Sequence, residues 1–132
     1  MTTTPPPPAN PYAGTAPQPM GPQDEKLWST LIHLSPLLAS FIGLPFLGPL
    51  IGYLVLRDRG PFIRWHTAQA LNFQLTVLIA YLVSGVLVLV FFIGLLLLAA
   101  VWIASIVFMI MAAIAANRGE YYQYPWTITF VR

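Results

Sequence analysis

Residues 65–117 read WHTAQALNFQLTVLIAYLVSGVLVLVFFIGLLLLAAVWIASIVFMIMAAIAAN, 53 consecutive positions without one Asp, Glu, Lys or Arg. As one helix they would extend about 80 Å, far beyond the roughly 30 Å of a hydrocarbon core. The chain must therefore turn once inside them. Gly94, directly after Phe91 and Phe92, divides the stretch into two nearly equal spans and is the expected turn; Ser84-Gly85 is the competing one. The whole chain of 132 residues is 58% hydrophobic and only 8% charged, against roughly 25% charged in an ordinary soluble domain. So few charges could not solvate a soluble fold of this size. A net charge of +2, placed beside the apolar runs, is no nucleic-acid footprint. The lack of Cys removes disulfides, thiolate metal sites and Cys nucleophiles. The expected class is an all-α integral membrane protein, a small bundle of four membrane-embedded helical segments.

Upstream, the apolar run 27–56 is too long for one straight span and is interrupted by Gly43-Leu44-Pro45 and Gly48-Pro49. A helical hairpin with segments of about 27–42 and 46–57 fits it, as does a single kinked span that would leave three spans in all. The second segment, at about 12 residues and some 18 Å of helix, is the weak point of that hairpin. After the basic loop Arg57-Asp58-Arg59-Gly60, Pro61 occupies a favoured first-turn position. Helical segments of about 62–90 and 95–117 follow. Residues 1–23 read as a disordered proline-rich tail, since eight of the thirteen prolines precede Leu27 and almost nothing there is large and apolar. Pro5 to Pro11 would be its docking ligand if it has one. The domain proper is 24–132.

Segment 118–132 is polar and aromatic. Tyr121, Tyr122, Tyr124 and Trp126 are residue types of membrane interfaces. From Trp126 onward large apolar residues alternate with Thr, so an extended strap is expected to fold back near the 57–64 loop, with Trp126, Ile128 and Phe130 on its apolar face. Collecting every Lys and Arg on one side makes that side cytoplasmic and puts the C-terminus and the tail there. The expected location is the bacterial plasma membrane, multi-pass.

The candidate polar site is His33, His66, Gln69, Asn72 and Asn117. His66 and Gln69 share a helix face, and Asn72 lies one turn on. Polar side chains at the mouth of a span are costly unless they find partners across helices. The expectation is a buried network at the cytoplasmic end, formed against the first segment near His33 or against Asn117 and the final loop. His33 and His66 at similar depth could hold haem or a metal, but no carboxylate or Cys accompanies them, so neither cofactor nor metal is expected. With Asp24, Glu25, Asp58 and Glu120 all outside the spans, no Ser-His-Asp set and no intramembrane carboxylate exists. Gly48-x-x-x-Gly52 and Ala112-x-x-x-Ala116 mark helix-packing faces.

Asp24-Glu25-Lys26-Leu27-Trp28, His33-Leu34-Ser35 and Gly43-x-Pro45-x-x-Gly48-Pro49-Leu50 resemble the bacterial DUF4870 family. So do Arg64-x-His66-x-x-Gln69-Ala70-Leu71-Asn72-Phe73-Gln74 and Ala113-x-x-Ala116-Asn117-Arg118-Gly119-Glu120-Tyr121-Tyr122-x-Tyr124-Pro125. That family is similar to Tic20 of the chloroplast import channel. The resemblance implies a four-helix membrane protein with both ends on one side. The expected function is non-catalytic, a scaffold or accessory subunit with Tic20-like kinship. The alternative is a small oligomeric channel or transporter using His66, Gln69 and Asn72. Partners are the lipid bilayer and a homo-oligomer or larger membrane complex, with no nucleic acid; the sequence names no small-molecule substrate.

Overall fold

The computed structural model describes residues 17–132, the side chain of Phe91 apart. The tail expected over 1–23 therefore lies largely outside the described residues. Four α-helices follow in order, α1 Pro22–Ala39, α2 Leu47–Leu56, α3 Pro61–Phe91 and α4 Ile93–Arg118, with a 3-10 turn Ser40–Ile42 extending α1. Among the described residues no strand forms. α3 and α4 are each long and apolar enough to cross a membrane.

α1 starts inside the expected tail because the sequence there suits a first helical turn. Pro22 needs no N–H donor at that position, and Asp24 and Glu25 favour the positive end of the helix. The charged cluster also reaches two neighbouring helix ends. Glu25 Oε2 accepts the Ile63 N–H at 3.1 Å, one of the orphan donors at the start of α3. Lys26 lies against Gly119, which ends α4 with φ +80°, where a cation suits the negative end of the helix.

Pro36 sits within α1 and cannot donate to the Ile32 carbonyl, but the Ser35 hydroxyl does so at 2.8 Å. The helix passes through unbroken. α2 lies on α1 along the small face read from the sequence. A Cβ on Gly48 would collide with the Ser35 side chain, and one on Gly52 would come within 2.9 Å of Ile32. α1 in turn packs against both α3 and α4, where Ala112 and Ala116 are fully buried.

The turn between the long helices falls at Phe92, two residues before the expected Gly94. Phe92 takes the left-handed conformation at φ 56°, and Gly94 already belongs to α4. The glycine serves close approach instead, because a Cβ there would strike the Ser84 carbonyl and the Val88 backbone. Replacing Gly94 by Val should lower the stability of the α3–α4 hairpin by about 2–3 kcal/mol through overpacking. Replacing Gly85, which has open space around it, by Ala should not lower it. Thermal unfolding of both variants in detergent checks the difference.

Candidate functional site

Where α1, α3 and the segment after α4 meet, three aromatic side chains form one hydrogen-bonded line. His33 Nδ1 lies 2.8 Å from the Tyr124 hydroxyl, His33 Nε2 lies 2.8 Å from His66 Nδ1, and His66 Nε2 lies 2.9 Å from the Glu120 carbonyl oxygen. A carbonyl can only accept, so His66 Nε2 carries the hydrogen. His66 Nδ1 is then the acceptor for His33 Nε2–H, and His33 Nδ1 the acceptor for the Tyr124 O–H. With both imidazoles neutral, every donor and acceptor in the line is used. Both histidines are fully buried, and Tyr124 is 2% exposed.

Packing explains why Tyr124 reaches this depth. Its ring stacks on Phe73 with centroids 4.0 Å apart and joins a core of Phe73, Val77, Met109 and Ala112. Burial pushes its phenol well above the ordinary tyrosine range, with the neighbouring Tyr122 adding to the effect. The hydroxyl therefore remains a donor for His33. The headgroup depth expected for Tyr124 does not hold. Along the extended run 121–124 the inward positions are Tyr122, half-buried, and Tyr124, buried; the period of two in Tyr121-Tyr122-Gln123-Tyr124 is the sequence signal that puts those two on one side.

Asn72 takes a different partner from His66. Its Oδ1 accepts the Phe130 and Val131 N–H groups, each at 2.9 Å, and its Nδ2 donates to the Val131 carbonyl at 2.9 Å. One turn further along α3, Thr76 Oγ1 accepts the Ile128 N–H at 3.0 Å and donates to the Asn72 carbonyl. Two α3 side chains thus satisfy main-chain groups of the final segment, much as a neighbouring strand would. Tyr53 of α2 adds a 3.0 Å bond to the Arg132 main-chain oxygen, and Trp65 donates to the Tyr122 carbonyl at 3.2 Å.

Residues 119–132 consequently run down α3 from His66 to Thr76, turn at Pro125-Trp126, and return to Asn72. The expected strap exists, but its large apolar residues do not form the docked face. Trp126 is 94% exposed, and Ile128 and Phe130 also point outward, while Val131 packs beside Tyr53 and Leu71. Trp126 takes a left-handed backbone, φ 55°, at the turn where the strap reverses.

The five candidate residues do not form one site. His33 and His66 touch, and Asn72 holds the strap. Gln69 is half-buried on the wall of a separate recess of about 600 Å³ that also includes Arg64, Trp65, Tyr121 and Arg132. Asn117 is exposed because the buried faces of α4 are taken by Ala112, Ala113, Ala115 and Ala116. Among the described residues, no group of three or more His, Cys, Asp or Glu comes together.

Residues 24–131 match the MamF/MmsF family, the magnetosome magnetite crystal formation protein family, and the chain belongs to it. Neither a curated protein nor a solved structure matches. The family match replaces the DUF4870 assignment, and the Tic20 kinship and the channel reading lose their support with it. The motifs behind that resemblance serve helix ends and helix contacts here. Glu25 caps α3, Gly48 and Gly52 seat α2, and Gly119 ends α4. A small helical membrane bundle needs such residues whatever its lineage. Family and long apolar helices together make this a membrane-associated protein.

Two outcomes follow from the strap. Asn72→Leu leaves the Phe130 and Val131 amides without their acceptor. It should cost about 2 kcal/mol and open residues 120–132 to protease, as limited digestion in detergent would record. The raised phenol of Tyr124 adds stability that is complete below the unfolded tyrosine value of about 10 and falls away as pH climbs above it. An alkaline melting series should show this loss in the wild type and a shallower one in Tyr124→Phe.

Proposed function

We propose that this protein is an integral component of the membrane around a forming magnetite crystal. It acts there without catalysis, as an accessory subunit that shapes or organises that membrane and its protein partners. The observation that carries the reading is the distribution of charge. All ten charged residues belong to one end of the bundle: the start of α1, the α2–α3 loop, the start of α3, the end of α4 and the strap. The other end is the turn Phe91-Phe92-Ile93, with no charged or amide side chain. Positive-inside placement sets the charged end in the cytoplasm and the Phe92 turn on the crystal side. α3 and α4 cross the bilayer, and the α1–α2 hairpin enters it from the charged side.

A surface that bound iron or mineral directly would offer carboxylates, and the crystal-side turn has none. The influence on crystal formation is therefore indirect. The buried polar groups also support a non-catalytic reading. His33, His66, Tyr124 and Asn72 spend their hydrogen bonds on one another and on the strap, so they work as a latch.

A deletion strain should form crystals of altered size or shape, and the protein should stay in carbonate-washed magnetosome membranes. Crystals indistinguishable from the parent's, or release by carbonate, would overturn the reading. Complementation with His66→Gln, which keeps an N–H donor for the Glu120 carbonyl, should restore the crystals; an acid–base role for His66 would make that variant inactive.

A further inference from the structure

The α1–α2 hairpin does not extend as far as the α3–α4 hairpin it leans on. Its tip residues Phe41 and Pro45 border a cavity of about 430 Å³ shared with Tyr81 and Trp102. Beyond Tyr81, α3 continues to Phe91, and α4 begins at Ile93, well before Trp102. Each extension is about 15 Å of helix, half of a hydrocarbon core. Among the described residues, no other helix covers these two past the tip. Leu82, Val86, Leu89, Val90, Leu95 and Leu96 are all more than half exposed, a surface suited to lipid.

The tip itself is built for hydrocarbon. No Asp, Glu, Lys or Arg lies between Lys26 and Arg57. Leu38, Phe41 and Ile42 are exposed at 75%, 88% and 67%. Three N–H groups in and just after the turn find partners within the hairpin tip, as non-helical chain at membrane depth requires. Gly43 N–H donates to the Ser40 carbonyl at 3.0 Å, Leu44 N–H to Ala39 at 3.2 Å and Leu47 N–H to Leu44 at 3.0 Å. Pro45 has no N–H, and the Ser40 hydroxyl donates to the Pro36 carbonyl at 2.6 Å. α2, at ten residues, spans only about 15 Å, so the hairpin returns to the side from which it entered.

We infer that the α1–α2 hairpin is a re-entrant wedge whose tip, Phe41 to Pro45, stops near the bilayer midplane. The protein thereby favours strongly curved membrane with its charged end on the convex face. The inference rests on the membrane reading above and adds to it a depth and a consequence. Four helices occupy the leaflet at the charged end, and two occupy the other. Each helix is roughly 10 Å across, so the charged-end leaflet is widened relative to its partner, and bending toward that side relieves the mismatch. With that end cytoplasmic, the preferred shape is a vesicle lying inside the cell.

The chain has no Cys, so single-cysteine variants of the full protein report position cleanly. With the protein produced in the plasma membrane of bacterial cells that form no such vesicles, Phe92→Cys should react with a membrane-impermeant maleimide from outside. Arg59→Cys should react only after lysis, and Phe41→Cys only after detergent. Labelling of Phe41→Cys from the Phe92 side would show a crossing hairpin and overturn the wedge. Labelling of Phe92→Cys from the Arg59 side would instead overturn the membrane reading itself. Curvature is read with Arg59→Cys reconstituted into giant vesicles of phosphatidylcholine and phosphatidylglycerol. Labelling with impermeant dye after assembly makes only chains with the charged end outward visible. Their density in a thin tube pulled from the vesicle should exceed that in the vesicle body by about two-fold or more, in line with the curvature sensitivity of shallow insertions. Equal density in tube and body would overturn the inference.

Discussion

The hydrogen-bonded line from Tyr124 through His33 and His66 to the Glu120 carbonyl is the constraint on which the rest of the charged end depends. It joins α1, α3 and the strap at one buried point. Removing any member strands a donor or acceptor away from water, which costs more than the bond itself contributes. The line has one direction, set by the carbonyl at its end, and one charge state in which all its groups are matched. A polar group placed so deep must be matched in this way, and the matching makes the contact specific: another aromatic in place of Tyr124 could fill the space without supplying the proton.

Once that point is set, the strap follows. Tyr124 stacked on Phe73 brings the chain down beside α3. Asn72 and Thr76 then meet main-chain groups that no regular element of the strap could satisfy. Irregular backbone beside a membrane bundle is tolerated where such partners exist. The exposed Trp126 at the bottom of the strap is of a type that settles at the lipid interface. α1, the start of α3, the end of α4 and the strap together form a capped, charged end of the bundle.

Charge and length together shape the other half. A bundle with all its ionic groups at one end and a bare apolar turn at the other has a defined polarity in a membrane. The bare turn offers no charged or amide side chain to bind ions. On the function proposed above, its effect at that end would come through lipid or neighbouring proteins, and the unequal lengths of its two hairpins supply a physical route through lipid.

Much of this was legible in the amino-acid order. Hydropathy and the absence of charge over 65–117 dictate two long apolar helices, because a continuous apolar run satisfies its backbone in hydrocarbon as helix, whereas barrel strands would alternate apolar and polar residues. Gly43 to Pro49 and Arg57 to Pro61 dictate breaks, because proline and glycine act locally. The meeting of His33 with His66 was partly legible from their similar depth. Other features were decided only by tertiary structure. Glycine promotes a turn and close packing equally well, so only the contact of Gly94 with Ser84 and Val88 shows which it does. Gln69 and Asn72 look alike in sequence, yet one lines an open recess and the other holds the strap, because a difference of three residues on a helix is about 60° of rotation. The inward placement of Tyr124 depends on its stacking on Phe73 and its hydrogen bond to His33. Local composition cannot announce it, since both partners lie in distant parts of the chain.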